Sequence, residues 1–562
     1  MKERGSDMTK WYALLSLVLF ADPASAVQGP GEDPRPASTI AAAPSFSPVT
    51  SERLRNADAE PHNWLMYSGN YSSQRYSGLD QVHIQNVDQL QMQWVHQLRV
   101  LDRSETTPLV VDGVMYVTEA PATVIALDAR TGTRYWRYEH EMPEDLNYCC
   151  GRNNRGVAVL GNRLFMSTLD AHLVALDART GNLLWDAEVA DEMAGYSKTA
   201  APLVVGDKVI TGIAGGEFGI RGFVDAYDAK TGERAWRLYT IPGPGEPGNE
   251  TWAGDSWRTG GSATWMTGSY DPELNLVYWG TGNPGPDWNG DVRLGDNLYS
   301  DAVLAIDPDT GELKWYFQFT PHDVHDWDAT QIPILADSRI DGRDRKLILW
   351  PNRNAFFYVL DRETGEFLHG KPYARQTWAE GLDKKGHPIR LPNTFPSLEG
   401  TTVSPSIGGG SNWWSPSYSP RTDLLYVNAY DGETTYFIRD EEYIEGERYT
   451  GGGGETPLPA DKYRSAIRAI SPQTGDVEWE YPIQPRSSAG VLSTAGDLVF
   501  SGTPDGYFFA LDALTGEERW HFNLGSRVHS APMSYMVDGK QYVTIAAGNV
   551  LFTFGLGEQL AR

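Results

Sequence analysis

One eleven-residue pattern recurs along the chain and limits what it can fold into. It reads ALDARTGTRYW at 126–136, ALDARTGNLLW at 175–185, AYDAKTGERAW at 226–236 and AIDPDTGELKW at 305–315. VLDRETGEFLH from Val359, AISPQTGDVEW from Ala469 and ALDALTGEERW from Ala510 continue it. Each copy is an apolar strand end, a D-x-x-T-G turn (Ser471 replaces the Asp in one copy) and a strand leading to Trp (His369 in one copy), and the Gly provides the positive φ a tight hairpin needs. The segment VDQLQMQW, ending at Trp94, reads as a further copy without its turn. Spacings of roughly 40 to 55 residues fit one four-stranded blade each. Counting Trp94 and the His369 copy predicts an all-β, eight-bladed β-propeller. Trp136, Trp185, Trp236, Trp315, Trp479 and Trp520 are predicted to dock one blade on another. The long gaps from Trp236 to Trp315 and from His369 to Trp479 must hold insertions, and DEEYIEGERYTGGGGETPLPADKYRS reads as a surface loop.

The N-terminus predicts export. Lys2, Arg4 and Lys10 precede the apolar run WYALLSLVLFA, which ends before Ala24-Ser25-Ala26. A charged start, a short apolar stretch and a small-residue cleavage site make residues 1–26 a signal peptide directing the chain to the periplasm. The run is too short for a confident membrane span. Residues 27–59, rich in Pro, Ala and Ser, read as a linker, and 60–562 as one propeller domain. The formal charge of -27 argues against nucleic acid as a partner, since phosphate binding needs a basic surface. It permits steering of a basic protein partner. The only two cysteines, Cys149 and Cys150, are adjacent. They are either two small buried thiols or a vicinal disulfide, which export would favour and which cannot crosslink anything distant.

Four segments break the repeat: AGGEFG (214–219), GGSATWMTG (260–268), TGNPGPDWNG (281–290) and TPHDVHDWDATQ (320–331). They offer Glu217, Asn283, Asp326 and Asp328 as oxygen ligands for a hard cation. Gly215 and Gly216 allow close backbone approach to a ligand, and Trp265 offers a flat apolar face. His322, Asp323 and His325 suggest a rival zinc site whose fourth ligand is not evident.

With these segments in order, the chain resembles the pyrroloquinoline quinone (PQQ)-dependent alcohol dehydrogenases of the methanol/ethanol dehydrogenase family. The markers are the Cys-Cys pair followed by NRG, TLDA, GGEFG, GTGNP, TPHD, NRNAFFYVLDR and GVLSTAGDLVFSGTPDGY. The resemblance implies PQQ on the propeller axis, between a Cys149–Cys150 disulfide and the Trp265 ring. It implies cofactor contacts from Glu105, Arg155, Thr168, Thr199, Gly215 and Gly216, with Arg353 and Asn412 at the quinone oxygens. It implies metal binding by Glu217, Asn283 and Asp326, with Asp326 as the base and Arg353 as its catalytic companion. Family members that use calcium carry a small neutral residue two places after that Asp, whereas the lanthanide-dependent members carry Asp. Asp328 therefore implies a lanthanide, with Ca²⁺ as the alternative, because an added carboxylate favours a trivalent cation.

Three departures from the family bear on substrate. Ser488 stands where the family has a Trp lining the pocket, the chain runs from YVTIAAG straight to NVLFTFGL without the usual capping loop, and Ala263 replaces a Thr found in some members. The first two imply a bulkier alcohol than methanol. No C-x-x-C-H occurs, so no c-type haem can attach in the usual way and electrons are expected to pass to a separate soluble cytochrome c. The oligomeric state is left open between monomer and homodimer. Two other readings compete: a non-catalytic propeller scaffold of the outer-membrane assembly type, which needs none of these markers, and a dehydrogenase of this fold acting on aldehydes or sugars.

Overall fold

The D-x-x-T-G turns close through their own side chains. In the first, Asp128 Oδ1 accepts the N–H groups of Arg130 and Thr131 at 2.8 and 3.2 Å. The same Asp-to-backbone bonds recur at Asp177, Asp228, Asp307, Asp361 and Asp512. Such turns are local structures that the sequence specifies unaided. After each turn the outer strand carries a one-residue bulge, as where Ala126 pairs with Trp136 but Leu127 with Arg134. The bulge aims the Trp at the next blade.

The computed structural model describes residues 43–100, 103–144, 146–456 and 463–557. The described residues all belong to one compact unit, 41–562. Among them are eight sheets with four antiparallel strands in the blade order, one of which gains a short fifth strand, Tyr76–Ser77, paired in parallel. Seven blades follow the chain at 109–139, 157–188, 203–239, 269–318, 334–372, 417–483 and 492–523. The eighth takes its three inner strands from 533–556 and its outer strand, Leu90–Gln97, from the other end of the propeller. That pairing closes the ring without a free edge.

Blade docking rests on one repeated contact. The Trp136 Nε1–H donates to Ala178 O at 3.2 Å, and a Cβ added to Gly181 would lie 2.5 Å from the Trp136 ring. Gly181 has φ +74°, so its glycine is required twice, by the turn and by the ring seated on it. Trp94, Trp185, Trp236 and Trp479 make the equivalent bond to the next blade. His369 keeps it through Nε2, 2.8 Å from Pro472 O, so the divergent copy retains the function of its Trp. Trp315 is seated on Gly365 in the same manner. Trp520 meets a blade that has no such turn and packs instead edge-on against Phe554.

The insertions are ordered. Residues 379–390 form a two-stranded hairpin, and Thr401–Val403, Thr434–Ile438 and Gly452–Glu455 form a three-stranded sheet. The expected surface loop is thus corrected at Gly452–Glu455, where a glycine-rich segment pairs through its backbone. The expected linker 27–59 is also narrower. From Ala43 onward the described chain packs on the propeller: Val49 bridges Gly161, Leu54 is buried, and Arg53 pairs with Asp112. The signal peptide and residues 27–42 lie outside the described residues. Among those described, no helix is long and apolar enough to cross a membrane.

In a four-stranded antiparallel blade, the segments from strand four to the next strand one and the turns from strand two to strand three open on the same face. Glu105, Arg155, Thr199, Trp265, Asp326 and Asn412 lie on the first kind of segment. Gly215–Glu217, Asn283 and Arg353 lie on the second. The fold therefore gathers them at one end of the axis.

Candidate active site

A cavity of about 230 Å³ lies among these segments. Its wall includes Glu105, Cys149, Cys150, Arg155, Thr199, Gly215, Glu217, Trp265, Asp326, Asp328, Arg353 and Asn412. Cys149 and Cys150 form a disulfide, with Cys150 at φ +67°. The Cys150 carbonyl accepts from Arg103 Nη2 at 3.0 Å and from Asn153 Nδ2 at 3.1 Å, which hold the small ring against the cavity.

At one end Arg155 is held by four side chains. Its Nη2 lies 2.7 Å from Glu105 Oε2, its Nη1 donates to Thr199 Oγ1 at 2.7 Å, and its guanidinium carbon sits 5.3 Å from the Trp265 ring centre and 4.9 Å from that of Trp413. A cation between two aromatic faces beside a hydroxyl suits an anionic, planar ligand.

At the other end lie the carboxylates. Asp323 accepts the N–H groups of His325 and Trp327 at 3.2 and 2.9 Å and so fixes the turn. Trp327 is fully buried, with its Nε1–H on Ser406 O at 3.1 Å, and anchors the two aspartates that flank it. Asp326 has φ +58° and lies 3.4 Å from Arg353 Nη2. Asp328 bonds Arg353 Nη1 with one oxygen and accepts Asn283 N–H at 2.9 Å with the other. A Cβ on Gly282 would lie 2.5 Å from that second oxygen, so the glycine of GTGNP makes room for Asp328. Gly215, at φ +116°, passes so close to the Gly195 carbonyl that a Cβ would lie 2.1 Å from it; the following turn presents Glu217.

These carboxyls repel one another. Burial foremost, with Asp328, Asp287 and Glu217 nearby, pushes Asp326 well above the ordinary range against the pull of Arg353. Burial, then Asp328, raises Glu217, while its own backbone N–H lowers it. Burial opposes the charge of Arg353, but Asp326 and Asp328 outweigh it and raise its pKa. Several buried acidic oxygens beside one guanidinium form a donor set that fits a hard, multivalent cation.

Three expected residues stand apart from the cavity wall. Thr168 is fully buried, and its hydroxyl donates to Asp170 and contacts His172 O, away from the cavity wall. Gly216 lies behind the wall, where an added Cβ would meet Ala263 at 3.7 Å. Asn283 meets the site through its backbone N–H, and its amide nitrogen donates to Asp287 at 2.9 Å. The rival zinc set does not converge. His325 Nε2 lies 2.8 Å from Thr394 O and His322 Nδ1 lies 2.8 Å from Gly295 O, while burial and the Arg293 charge push His322 down to about 4.

The structure adds wall residues that the sequence did not single out: Arg103, Asn153, Ser197, Ala214 and Trp413. Trp413 had a signal, as the aromatic next to Asn412 after a glycine run. Behind the wall, Asp287 and Asp301 are buried and raised well above the ordinary carboxyl range, first by burial and then by other carboxylates. Among the described residues none from 463–557 lines the cavity. Ser488 is absent from it, and Lys540–Ala547 and Val550–Leu556 are joined by two residues, leaving no capping loop.

The chain matches the profile of a family described as PQQ glucose/ethanol/alcohol dehydrogenase, β-propeller domain, over residues 64–370 and 466–543. It is 38% identical over 535 residues to the quinoprotein alcohol dehydrogenase PedH of Pseudomonas putida, covering 91% of this chain and 90% of that protein. It is 36% identical to the quinoprotein ethanol dehydrogenase of Pseudomonas aeruginosa, covering 89% and 88%. Among solved structures, the quinohemoprotein alcohol dehydrogenase ADHIIG of Pseudomonas putida HK5 superposes with a TM-score of 0.86 at 37% identity, over 91% of this chain and 83% of that one. A europium-containing methanol dehydrogenase superposes with a TM-score of 0.85 at 33% identity, over 90% and 100%.

Proposed function

The chain belongs to the family of PQQ-dependent quinoprotein alcohol dehydrogenases, and from that premise we propose that it oxidises an alcohol bulkier than methanol with a lanthanide ion at its acidic site. Membership makes it a PQQ-dependent alcohol dehydrogenase and sets aside the scaffold reading. The observation that carries the finer proposal is the placement of Asp328 beside Asp326 and Glu217 on one cavity wall.

When bound, PQQ supplies a two-electron acceptor for the hydride of the alcohol, and the cation supplies the Lewis acidity that polarises it. Arg155, Glu105 and Thr199 would hold the cofactor's polar rim, and the disulfide and Trp265 its two faces. Glu217, Asp326, Asp328 and the Asn283 amide oxygen would hold the cation. Asp326 would take the hydroxyl proton of the substrate as the carbinol C–H is lost. Arg353 orients both aspartates. Trp265 and Trp413 exclude water from the slot.

The substrate proposal rests on the open side of the cavity, where 463–557 contribute no wall. Electrons would then leave to a soluble cytochrome c, and the signal-like N-terminus and the family support a periplasmic location. The test is a panel of alcohols, from methanol to aromatic and polycyclic ones, on enzyme reconstituted with PQQ and La³⁺. A higher kcat/KM for the bulkier alcohols is expected, and a clear preference for methanol would overturn the substrate reading.

A further inference from the structure

Outside the cavity, the end of blade one and the turn of blade two bring together His140, His172, Asp170 and Asp186. His140 Nε2 lies 3.0 Å from Asp170 Oδ2, and the Thr168 hydroxyl bonds the other oxygen of that carboxylate. Asp170 therefore fixes the ring so that Nε2 carries the proton and Nδ1 presents a lone pair, which the Tyr138 hydroxyl approaches at 3.4 Å and a cation would take in its place. His140 Nδ1 lies 4.0 Å from Asp186 Oδ2, and His172 Nδ1 lies 2.8 Å from Asp186 Oδ1. One ligand atom from each of His140, His172 and Asp186 falls within 4.8 Å of the other two.

We propose that His140, His172 and Asp186 form a second metal site, for a borderline divalent cation such as Zn²⁺, with Asp170 as its orienting carboxylate. Two imidazoles and one carboxylate are a zinc donor set. At zinc–ligand distances of about 2.0–2.1 Å, tetrahedral ligand atoms stand about 3.4 Å apart, and the observed spacings bracket that value. A histidine ligand whose other ring nitrogen donates to a buried carboxylate is the arrangement that metal sites use to fix tautomer and ring plane. Asp170 and His140 are nearly buried, with side chains 5% and 7% exposed, whereas His172 and Asp186 reach the surface. His140 also lines a surface cavity with Leu169 and Tyr148. The bound ion would tie blade one to blade two where the segment carrying Cys149–Cys150 begins. It also gives the Thr168 hydroxyl a role at Asp170.

The experiment uses the holoenzyme, loaded with PQQ and its active-site cation, equilibrated with ZnCl₂ against a weak chelator. Metal content and the absorption of Co²⁺ in place of Zn²⁺ are read. A single extra equivalent of Zn²⁺ is expected in the wild type, with visible ligand-field bands for Co²⁺. Both are lost in His172→Ala and in Asp186→Ala, whose partly exposed side chains leave the fold intact. Asp170→Asn weakens Zn²⁺ by about 10- to 100-fold. Asp328→Ala keeps the extra equivalent, which separates this site from the cavity. No retained Zn²⁺ in the wild type, or equal binding by His172→Ala and Asp186→Ala, would overturn the proposal.

Discussion

Arg353 bonds Asp328 through Nη1 and holds that carboxylate at the cavity wall, while the opposite oxygen takes the Asn283 N–H. Asp328 is therefore a fixed charge beside Asp326 and Glu217. Removing it lowers the negative charge of the donor set, and a trivalent ion loses more than a divalent one. Asp328→Ala should reduce the ratio of La³⁺- to Ca²⁺-supported activity by about tenfold or more, measured on reconstituted enzyme. An unchanged ratio would mean that Asp328 does not select the metal.

The Cys149–Cys150 ring closes no loop, so its loss costs little chain entropy in the unfolded state. It does form part of the cavity wall. The Cys149→Ala, Cys150→Ala double variant should lose most of its alcohol oxidation while its thermal midpoint moves by only a few degrees. Parallel loss of both would assign the pair a structural role.

Lys198 is buried and its ammonium nitrogen has no hydrogen-bond partner among the described residues; burial pushes it down to about 7, with Arg237 adding and Asp225 opposing. An unfolded lysine titrates near 10.4. Between those values the unfolded chain binds more protons, so stability rises with pH from about 7 towards about 10. Below about 7 the penalty is present in full. Lys198→Met should therefore raise the thermal midpoint most at and below neutrality, with the gain vanishing near pH 10. A gain independent of pH would contradict this.

The docking contact predicts a large effect from one methyl group. Gly181→Ala places a Cβ 2.5 Å from the Trp136 ring at φ +74°, whereas Gly161→Ala, at φ +61°, meets nothing within 4 Å. The first should destabilise by roughly 2–4 kcal/mol and the second by about 1–2 kcal/mol. Denaturant midpoints of the two variants check the difference.

What could be read from the sequence was what local chemistry repeats. The D-x-x-T-G turn and its Trp are close in the chain, so seven copies and Trp94 foretold the blades and their docking. The cavity residues were legible where a motif surrounds them, as at GGEFG or DWD. The partner of the Thr168 hydroxyl was not legible, because its direction depends on its turn, and that turn gives it to Asp170. Asp301 carries no local pattern, and long-range packing alone brings it to the site; Asp287, inside TGNPGPDWNG, and Trp413, beside Asn412, had a motif next to them that did not reveal their role. Gly452–Glu455 escaped notice because a ladder formed by backbone groups needs no side-chain signature.

The central claim is that this chain oxidises alcohols with PQQ at a site that prefers a trivalent ion. Metal-free and PQQ-free protein, supplied with PQQ and either La³⁺ or Ca²⁺, is assayed for alcohol-dependent reduction of an artificial electron acceptor. Activity with La³⁺ clearly above that with Ca²⁺ is the predicted result; equal or greater activity with Ca²⁺ would contradict it.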